Sequence, residues 1–167
     1  VRGKPLIHRV YDNILKSKKV DKVIMCTSID KEDDALCKYF KENKIDFYRG
    51  SRLDVIDRFL SCIESYNLNP KNIIRLTGDN CFTCTEEMDR LIESHNLEGS
   101  DYSTLTGLPS GANSEVISFD CLKKLNRIVE DGNSSEYMTW MLDDPEVFTV
   151  NKIECLDFYK SSIRLSC

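Results

Sequence analysis

Apolar positions recur along this chain in two alternating rhythms. Leu6, Ile7, Val10, Ile14 and Leu15 fall at helical spacing, which predicts a helix over residues 5–17 with Pro5 suited to its first turn. Residues 22–27 then read as a strand. Residues 32–43 read as an amphipathic helix with Ala35, Leu36, Tyr39 and Phe40 on its inner face. A short strand over 45–48 follows, and residues 53–66 form a helix whose inward positions are Val55, Ile56, Phe59, Leu60 and Ile63. Ile73, Ile74 and Leu76 give the branched run of a buried strand, and residues 85–94 a helix burying Met88, Leu91 and Ile92.

Strands alternating with helices predict an α/β fold with a parallel sheet, both faces covered by right-handed crossovers. From Tyr102 the rhythm changes: strands are expected over 102–105, 115–119 and 148–153, with helices near 121–130 and 136–142. No internal repeat, low-complexity tract or linker interrupts the pattern, so residues 1–167 are expected to form one domain. Both ends read as cut. The strand that should precede the first helix is missing, and residues 162–167 stop in what reads as a strand.

Composition narrows the function classes. The chain has 167 residues, 41% of them hydrophobic and 31% charged, enough for a core of its own. A net charge of −5 argues against general nucleic-acid binding, so a phosphate site must rely on a few local Lys and Arg residues. No apolar run approaches the length of a membrane span and no signal peptide opens the chain, so a cytoplasmic protein is expected. Of eight cysteines most fall singly inside apolar stretches, Cys26 in a strand and Cys37, Cys62 and Cys121 on helices, and read as reduced, mostly buried thiols. Cys81 and Cys84 have CxxC spacing, but no second ligand pair with zinc-type spacing follows.

The stretch Ile73-Ile-Arg-Leu-Thr-Gly-Asp-Asn80 carries the candidate chemistry. A strand ends there in a small turn holding one carboxylate, Asp79, just before a helix, which is where open α/β sheets place their ligands. Mg²⁺ is usually held by one or two protein carboxylates and completes its shell with phosphate oxygens and water, so Asp79 suits it. The plain alternative is a turn aspartate. Gly3-Lys4-Pro5 stands before the first helix, where helix N-terminus and ammonium can meet a phosphate together. Arg49-Gly50-Ser51 follows the second strand, and Ser28 with Asp30 follows the first. Convergence of such edges on one rim of the sheet is what a nucleotide site requires.

These residues resemble the cytidylyltransferase family that makes CMP-activated acidic sugars, most closely its spore coat polysaccharide branch. The resemblance is carried by Gly3-Lys4-Pro5-Leu6-Ile7, Thr27-Ser28 with Glu32-Asp33-Asp34-Ala35, and Tyr48-Arg49-Gly50-Ser51 with Asp54-Val55-Ile56-Asp57-Arg58-Phe59. Ile74-Arg75-Leu76-Thr77-Gly78-Asp79-Asn80 and Gly111 with Glu115-Val116-Ile117-Ser118 complete it. It implies a Rossmann-like, three-layer nucleotidyltransferase fold, its sheet mostly parallel with one antiparallel strand. It implies transfer of CMP from CTP to an acidic sugar with release of pyrophosphate, a Mg²⁺ cofactor and a possible homodimer. By the same resemblance Lys4 and Asp79 are catalytic, with Asp79 the metal ligand. Gly3, Lys4, Ser28, Arg49, Gly50, Ser51, Asp54, Val55, Arg58, Thr77 and Gly78 bind the nucleotide, and Asn80, Glu115 and Glu136 face the sugar. Simpler roles for these residues are turn residues, salt bridges and helix caps.

The chain departs from the family pattern in four places. The small-residue loop expected before Gly3 is absent, Cys81 follows the Gly-Asp-Asn, and Tyr137 stands where the branch shows His after Glu136. No second metal carboxylate follows the last strand. Two other classes stay open: a glycosyltransferase using a nucleotide sugar, which usually needs an Asp-x-Asp pair that this chain lacks, and a non-catalytic fragment.

Overall fold

The computed structural model describes residues 3–129 and 138–165. The chain divides into two compact units, each assembled from separate stretches: residues 1–21, 72–118 and 145–167 make one, and 22–71 with 119–144 make the other.

The first unit contains α1 (Leu6–Ile14), β3 (Asn72–Arg75), α4 (Thr85–Glu98), β4 (Tyr102–Thr106), β5 (Glu115–Ser118) and β6 (Val150–Glu154). Its sheet has the order β3-β5-β4-β6. β4 and β6 are parallel, while β5 runs antiparallel to both β3 and β4. The expected single reversed strand is therefore β5, and the reason is length. Only eight residues separate β4 from β5, fewer than the dozen or so that a parallel crossover needs, and Gly107 and Gly111 turn the chain there with φ of 84° and 90°.

Val116 and Ile117 of β5, Tyr102 and Leu105 of β4, and Met88, Leu91 and Ile92 of α4 form the buried heart of this unit, with Val10 and Ile14 of α1 also buried. α4 runs past the end of its apolar pattern: Leu97 is 84% exposed, and the helix stops only at Gly99, whose φ of 64° ends it. His95, on the buried face of α4, lies with Nδ1 2.7 Å from the Ser103 hydroxyl, so that polar pair satisfies itself in the core. Glu87 is also buried. It pairs with Arg90 at 2.6 Å, and Arg90 donates onward to the Glu154 carbonyl at 2.6 Å, fixing the end of β6 to α4. The strand expected over the last residues reduces, among the described residues, to one bridge between Ser110 and Arg164.

The second unit contains β1 (Met25–Ser28), α2 (Asp34–Glu42), β2 (Phe47–Gly50), α3 (Val55–Ser65), α5 (Phe119–Ile128) and α6 (Met138–Leu142). β1 and β2 are parallel, from Met25 beside Phe47 to Ser28 beside Gly50. β1 starts later than expected because the first cross-strand bond is Met25 N–H to the Asp46 carbonyl. Phe40, Ile56, Leu122, Leu125, Met138 and Leu142 are the large side chains fully buried here. Ala35, expected inward on α2, is exposed, and Cys37 takes the buried position. All seven described cysteines are free thiols.

Candidate functional site

In the first unit the chain leaves β3 through two consecutive turns. Asn80 N–H donates to the Thr77 carbonyl at 3.1 Å, and the Asn80 carbonyl accepts from Thr83 N–H at 3.2 Å and from its hydroxyl at 2.8 Å. Asn13 of α1 donates to the Thr83 carbonyl at 2.7 Å, tying helix to turn. Gly78 faces α1: a β-carbon there would stand 3.0 Å from Ile7 Cδ1, so the missing side chain lets helix and turn approach. Gly3, at φ 78°, reverses the chain just before α1.

Asp79 is half-exposed on this turn. Its Oδ1 accepts the Thr77 hydroxyl at 2.5 Å, and among the described residues it has no other hydrogen-bond partner. Lys4 stands one turn before Ile7 on the same corner, yet its ammonium engages Asp12 at 2.7 Å and lies 3.2 Å from His8 Nε2. The bond from Lys4 holds the Asp12 carboxyl below the usual carboxylate range. The first turn of α1 has no acidic residue and no side-chain cap, so its N–H groups are chemically suited to an anion. Among the described residues no three potential ligands gather to hold a metal by themselves. One lightly engaged carboxylate does suit a magnesium ion that takes its remaining ligands from phosphate and water.

In the second unit the residues after β1 and β2 organise one another. Asp33 Oδ2 accepts from the Thr27 hydroxyl at 2.6 Å, the Ser28 hydroxyl at 2.6 Å and Ser28 N–H at 2.9 Å. The Ser28 and Thr27 hydroxyls hold the Asp33 carboxyl below its usual range, burial opposing them. Arg49 reaches across from β2. Its Nε donates to the Ser28 carbonyl at 3.0 Å, Nη2 to the Asp30 carbonyl at 2.8 Å, and Nη1 to Asp34 at 2.7 Å. Ser51 accepts Asp54 N–H at 3.0 Å, and Asp54 caps α3 by accepting Asp57 N–H at 2.9 Å, with Val55 buried behind it. Gly50 makes room for Arg58, since a β-carbon would stand 2.9 Å from Arg58 Cγ and from the Tyr48 ring. Arg58 Nη1 donates to the Ser51 carbonyl at 2.9 Å, and its Nε is buried without an acceptor.

Thr27, Ser28, Asp30, Asp33, Arg52 and Arg58 line an open recess of about 320 Å³, which Cys26 and Glu32 complete. An orphaned buried donor beside such a recess is what a ligand acceptor would satisfy. Two expectations about stability follow. Asp33→Asn should cost about 1 kcal/mol at neutral pH, the worth of hydrogen bonds at a half-exposed carboxylate. Because the folded pKa is depressed, that difference is fully present above the unfolded value of 3.8 and fades as pH falls through the lower folded value. Urea denaturation of both proteins across that range checks the sign. Gly50→Ala should cost about 1–3 kcal/mol by overpacking against Arg58, read as a lowered melting temperature.

On the candidate sugar side, Glu115 Oε2 pairs with Arg75 at 2.7 Å across the β3–β5 ladder, and Oε1 accepts the Tyr102 hydroxyl at 2.9 Å. With side chains 18% and 17% exposed, Arg75 and Glu115 are a largely enclosed pair. Asn80 holds its turn through the backbone. Glu136 lies outside the described residues. The structure therefore sets Thr77, Gly78, Asp79 and Asn80 in a turn that meets α1 at Ile7, three residues after Lys4, and gathers Ser28, Arg49, Gly50, Ser51, Asp54, Val55 and Arg58 around the ends of β1 and β2. Sequence reasoning missed Asp33 as the hub of that group and Asp12 as the partner of Lys4. The signal for Asp33 was two hydroxyl residues at a strand end with an acid five positions after Ser28.

Comparison with known proteins gives consistent neighbours. Residues 1–140 match the family model described as cytidylyltransferase. The chain is 32% identical over 158 residues to the spore coat polysaccharide biosynthesis protein SpsF of Bacillus subtilis, covering 93% of this chain and 65% of that one. It is 31% identical over 163 residues to the uncharacterized protein MJ1063 of Methanocaldococcus jannaschii, covering 96% of this chain and 66% of that protein. The chain thus spans just under two thirds of these relatives' length. A cytidylyltransferase from Leptospira borgpetersenii superposes with a TM-score of 0.84 at 23% identity, over 99% of this chain and 71% of that one. A CMP:2-keto-3-deoxy-manno-octonic acid synthetase complexed with CTP superposes with 0.69 at 14% identity, over 92% and 80%. At these identities the likeness is one of fold.

Proposed function

Because the chain belongs to the cytidylyltransferase family, we propose that it transfers CMP from CTP to an acidic sugar, releasing pyrophosphate, in the biosynthesis of a surface polysaccharide or glycoconjugate. The observation that carries this reading is the first-unit corner, where a lightly engaged carboxylate, Asp79, sits on a glycine turn packed against the uncapped start of α1. The relative from Bacillus subtilis supports the polysaccharide setting by its description.

In the reaction a sugar hydroxyl attacks the α-phosphorus of CTP and pyrophosphate leaves in line, so negative charge builds on transferring and leaving oxygens. Lys4 leaves Asp12 to meet the triphosphate, and the N–H groups of the first turn of α1 receive phosphate oxygens. Asp79 is the residue that would hold Mg²⁺, which would supply positive charge against the charge developing on the phosphates. Ser28, Arg49, Gly50, Ser51, Asp54, Val55 and Arg58 make the nucleoside wall, with the Arg58 Nε supplying an unfilled donor. Thr77 and Gly78 shape the turn under the phosphates. Asn80 and Glu115 would face the acceptor sugar, Glu115 held in orientation by Arg75 and Tyr102.

The test is pyrophosphate release with each of the four nucleoside triphosphates, Mg²⁺ and a panel of acidic sugars. CTP should support release and the other three should not. Turnover of a preformed nucleotide sugar, with none from CTP, would instead assign the chain to glycosyl transfer.

A further inference from the structure

The recess after β1 discriminates among the parts of a nucleotide by charge and by hydrogen bonding. Among the described residues that line it, three carboxylates, Asp30, Glu32 and Asp33, stand against two guanidiniums, Arg52 and Arg58, so the recess is net negative. Arg52 is occupied by the acids themselves, 3.3 Å from Asp30 and 3.9 Å from Glu32. A triphosphate would meet repulsion there. A pyrimidine ring would find no apolar face, because of the described lining residues Cys26 alone lacks a charge or a hydroxyl.

The groups left to a ligand are mostly acceptors. Asp33 Oδ2 takes the Thr27 hydroxyl and the Ser28 hydroxyl, each at 2.6 Å, and Ser28 N–H at 2.9 Å, which holds the carboxylate in one orientation. Asp33 Oδ1 accepts no hydrogen bond among the described residues. The Ser28 hydroxyl gives its one proton to Asp33 and receives Asp30 N–H at 3.1 Å, so towards a ligand it too can only accept. One donor belongs to the same recess, Arg58 Nε, buried without an acceptor. A fitting occupant therefore brings protons for Asp33 and Ser28 and an oxygen for Arg58. Hydroxyl groups supply both.

We propose that this recess receives the ribose of the nucleotide, the free oxygen of Asp33 accepting a proton from the vicinal diol, and that Asp33 thereby sets a preference for ribonucleotides over deoxyribonucleotides. The inference rests on the nucleoside role proposed for Ser28 and Arg58, and gives a ligand contact to a residue outside that set. The Ser28 and Thr27 hydroxyls keep Asp33 ionised at neutral pH by holding its carboxyl below the usual range. The bond it accepts is then charge-assisted, about twice as strong as one between neutral groups. A site that hydrogen-bonds a hydroxyl rejects the analogue lacking it, because its own polar group is left unpaired. Asp33 is half-exposed, so water repairs part of that loss and the discrimination is about tenfold.

Equilibrium dialysis of the protein with Mg²⁺ and labelled CTP, its 2′-deoxy and 3′-deoxy analogues and UTP tests this. CTP should bind about tenfold tighter than at least one of the deoxy analogues. Asp33→Asn should cut that ratio by about threefold or more, since its amide oxygen stays with Thr27 and Ser28 and its NH₂ turns towards the ribose. Asp33→Glu keeps the charge but displaces the outer oxygen by a methylene. It should cut the same ratio, and it decides the matter if the asparagine variant does not fold. Equal affinity for CTP and both deoxy analogues would overturn the proposal. So would an unchanged ratio in the variants with affinity for every nucleotide falling together, the mark of a residue acting only through Ser28. A CTP-to-UTP ratio that collapses while the deoxy ratio holds would put the base amino group on Asp33 and overturn it as well. No nucleotide binding at all would overturn both this inference and the proposed function, whereas the expected ratios without pyrophosphate release would count against the proposed function alone.

Discussion

A protein carrying Asp79→Asn will melt with the parent and turn CTP over about a hundredfold more slowly, the scale of losing one preorganised electrostatic stabiliser. The fold should be indifferent because Asp79 contributes little to it. Its only described bond is to Thr77, two residues away, and the turn is already fixed by the backbone bond from Asn80 to Thr77 and by Gly78 against Ile7. Asparagine keeps an oxygen for Thr77 and is at ease in turns. What it lacks is the negative charge that would hold a divalent ion there. Raising Mg²⁺ should therefore recover part of the lost rate in Asp79→Asn, whereas a residue that only shaped the turn would show no such rescue. Turnover equal to the parent's would return Asp79 to the role of a turn residue.

The distribution of legible and hidden features follows from the range of the interactions involved. The strands and helices were readable because their apolar periods are local: Val55, Ile56 and Ile63 on α3, or Met88, Leu91 and Ile92 on α4, announce their buried faces within a few residues. The reversed strand was readable through the family resemblance, and its cause, the short glycine-bearing link between β4 and β5, lies in the chain itself. Boundaries were less visible. α4 extends through exposed Leu97 because Gly99 and not hydrophobicity decides where it ends. Least visible were partnerships made at a distance. Nothing in Gly3-Lys4-Pro5 says that the lysine rests on Asp12, and nothing in Arg49-Gly50-Ser51 says that all three guanidinium nitrogens are engaged, by the end of β1, the loop after it and the start of α2. Such contacts change what a residue must do to function. Arg49 holds the Ser28 and Asp30 carbonyls, so its part in the proposed nucleoside wall runs through them, whereas Arg58 keeps a donor unfilled.

Lys4 is the residue for which this distinction has the largest kinetic consequence. Lys4→Gln should lower turnover by about two orders of magnitude, since an ammonium aimed at developing phosphate charge is worth that much where water is excluded. Stability should barely change, because the pair with Asp12 joins side chains 44% and 40% exposed, and such surface pairs contribute about 0–1 kcal/mol. The resting pair also predicts the behaviour of the partner. Asp12→Asn removes one charged partner of the ammonium and keeps the ammonium itself, so it should leave turnover intact and lower KM for CTP by no more than about fivefold, the equivalent of that same pair energy. The two variants together separate function from scaffolding. If Lys4 serves the triphosphate, they move in opposite directions, one losing rate and the other tightening binding. If Lys4 serves only to tie down α1, both lose the same small increment of stability and neither changes the rate.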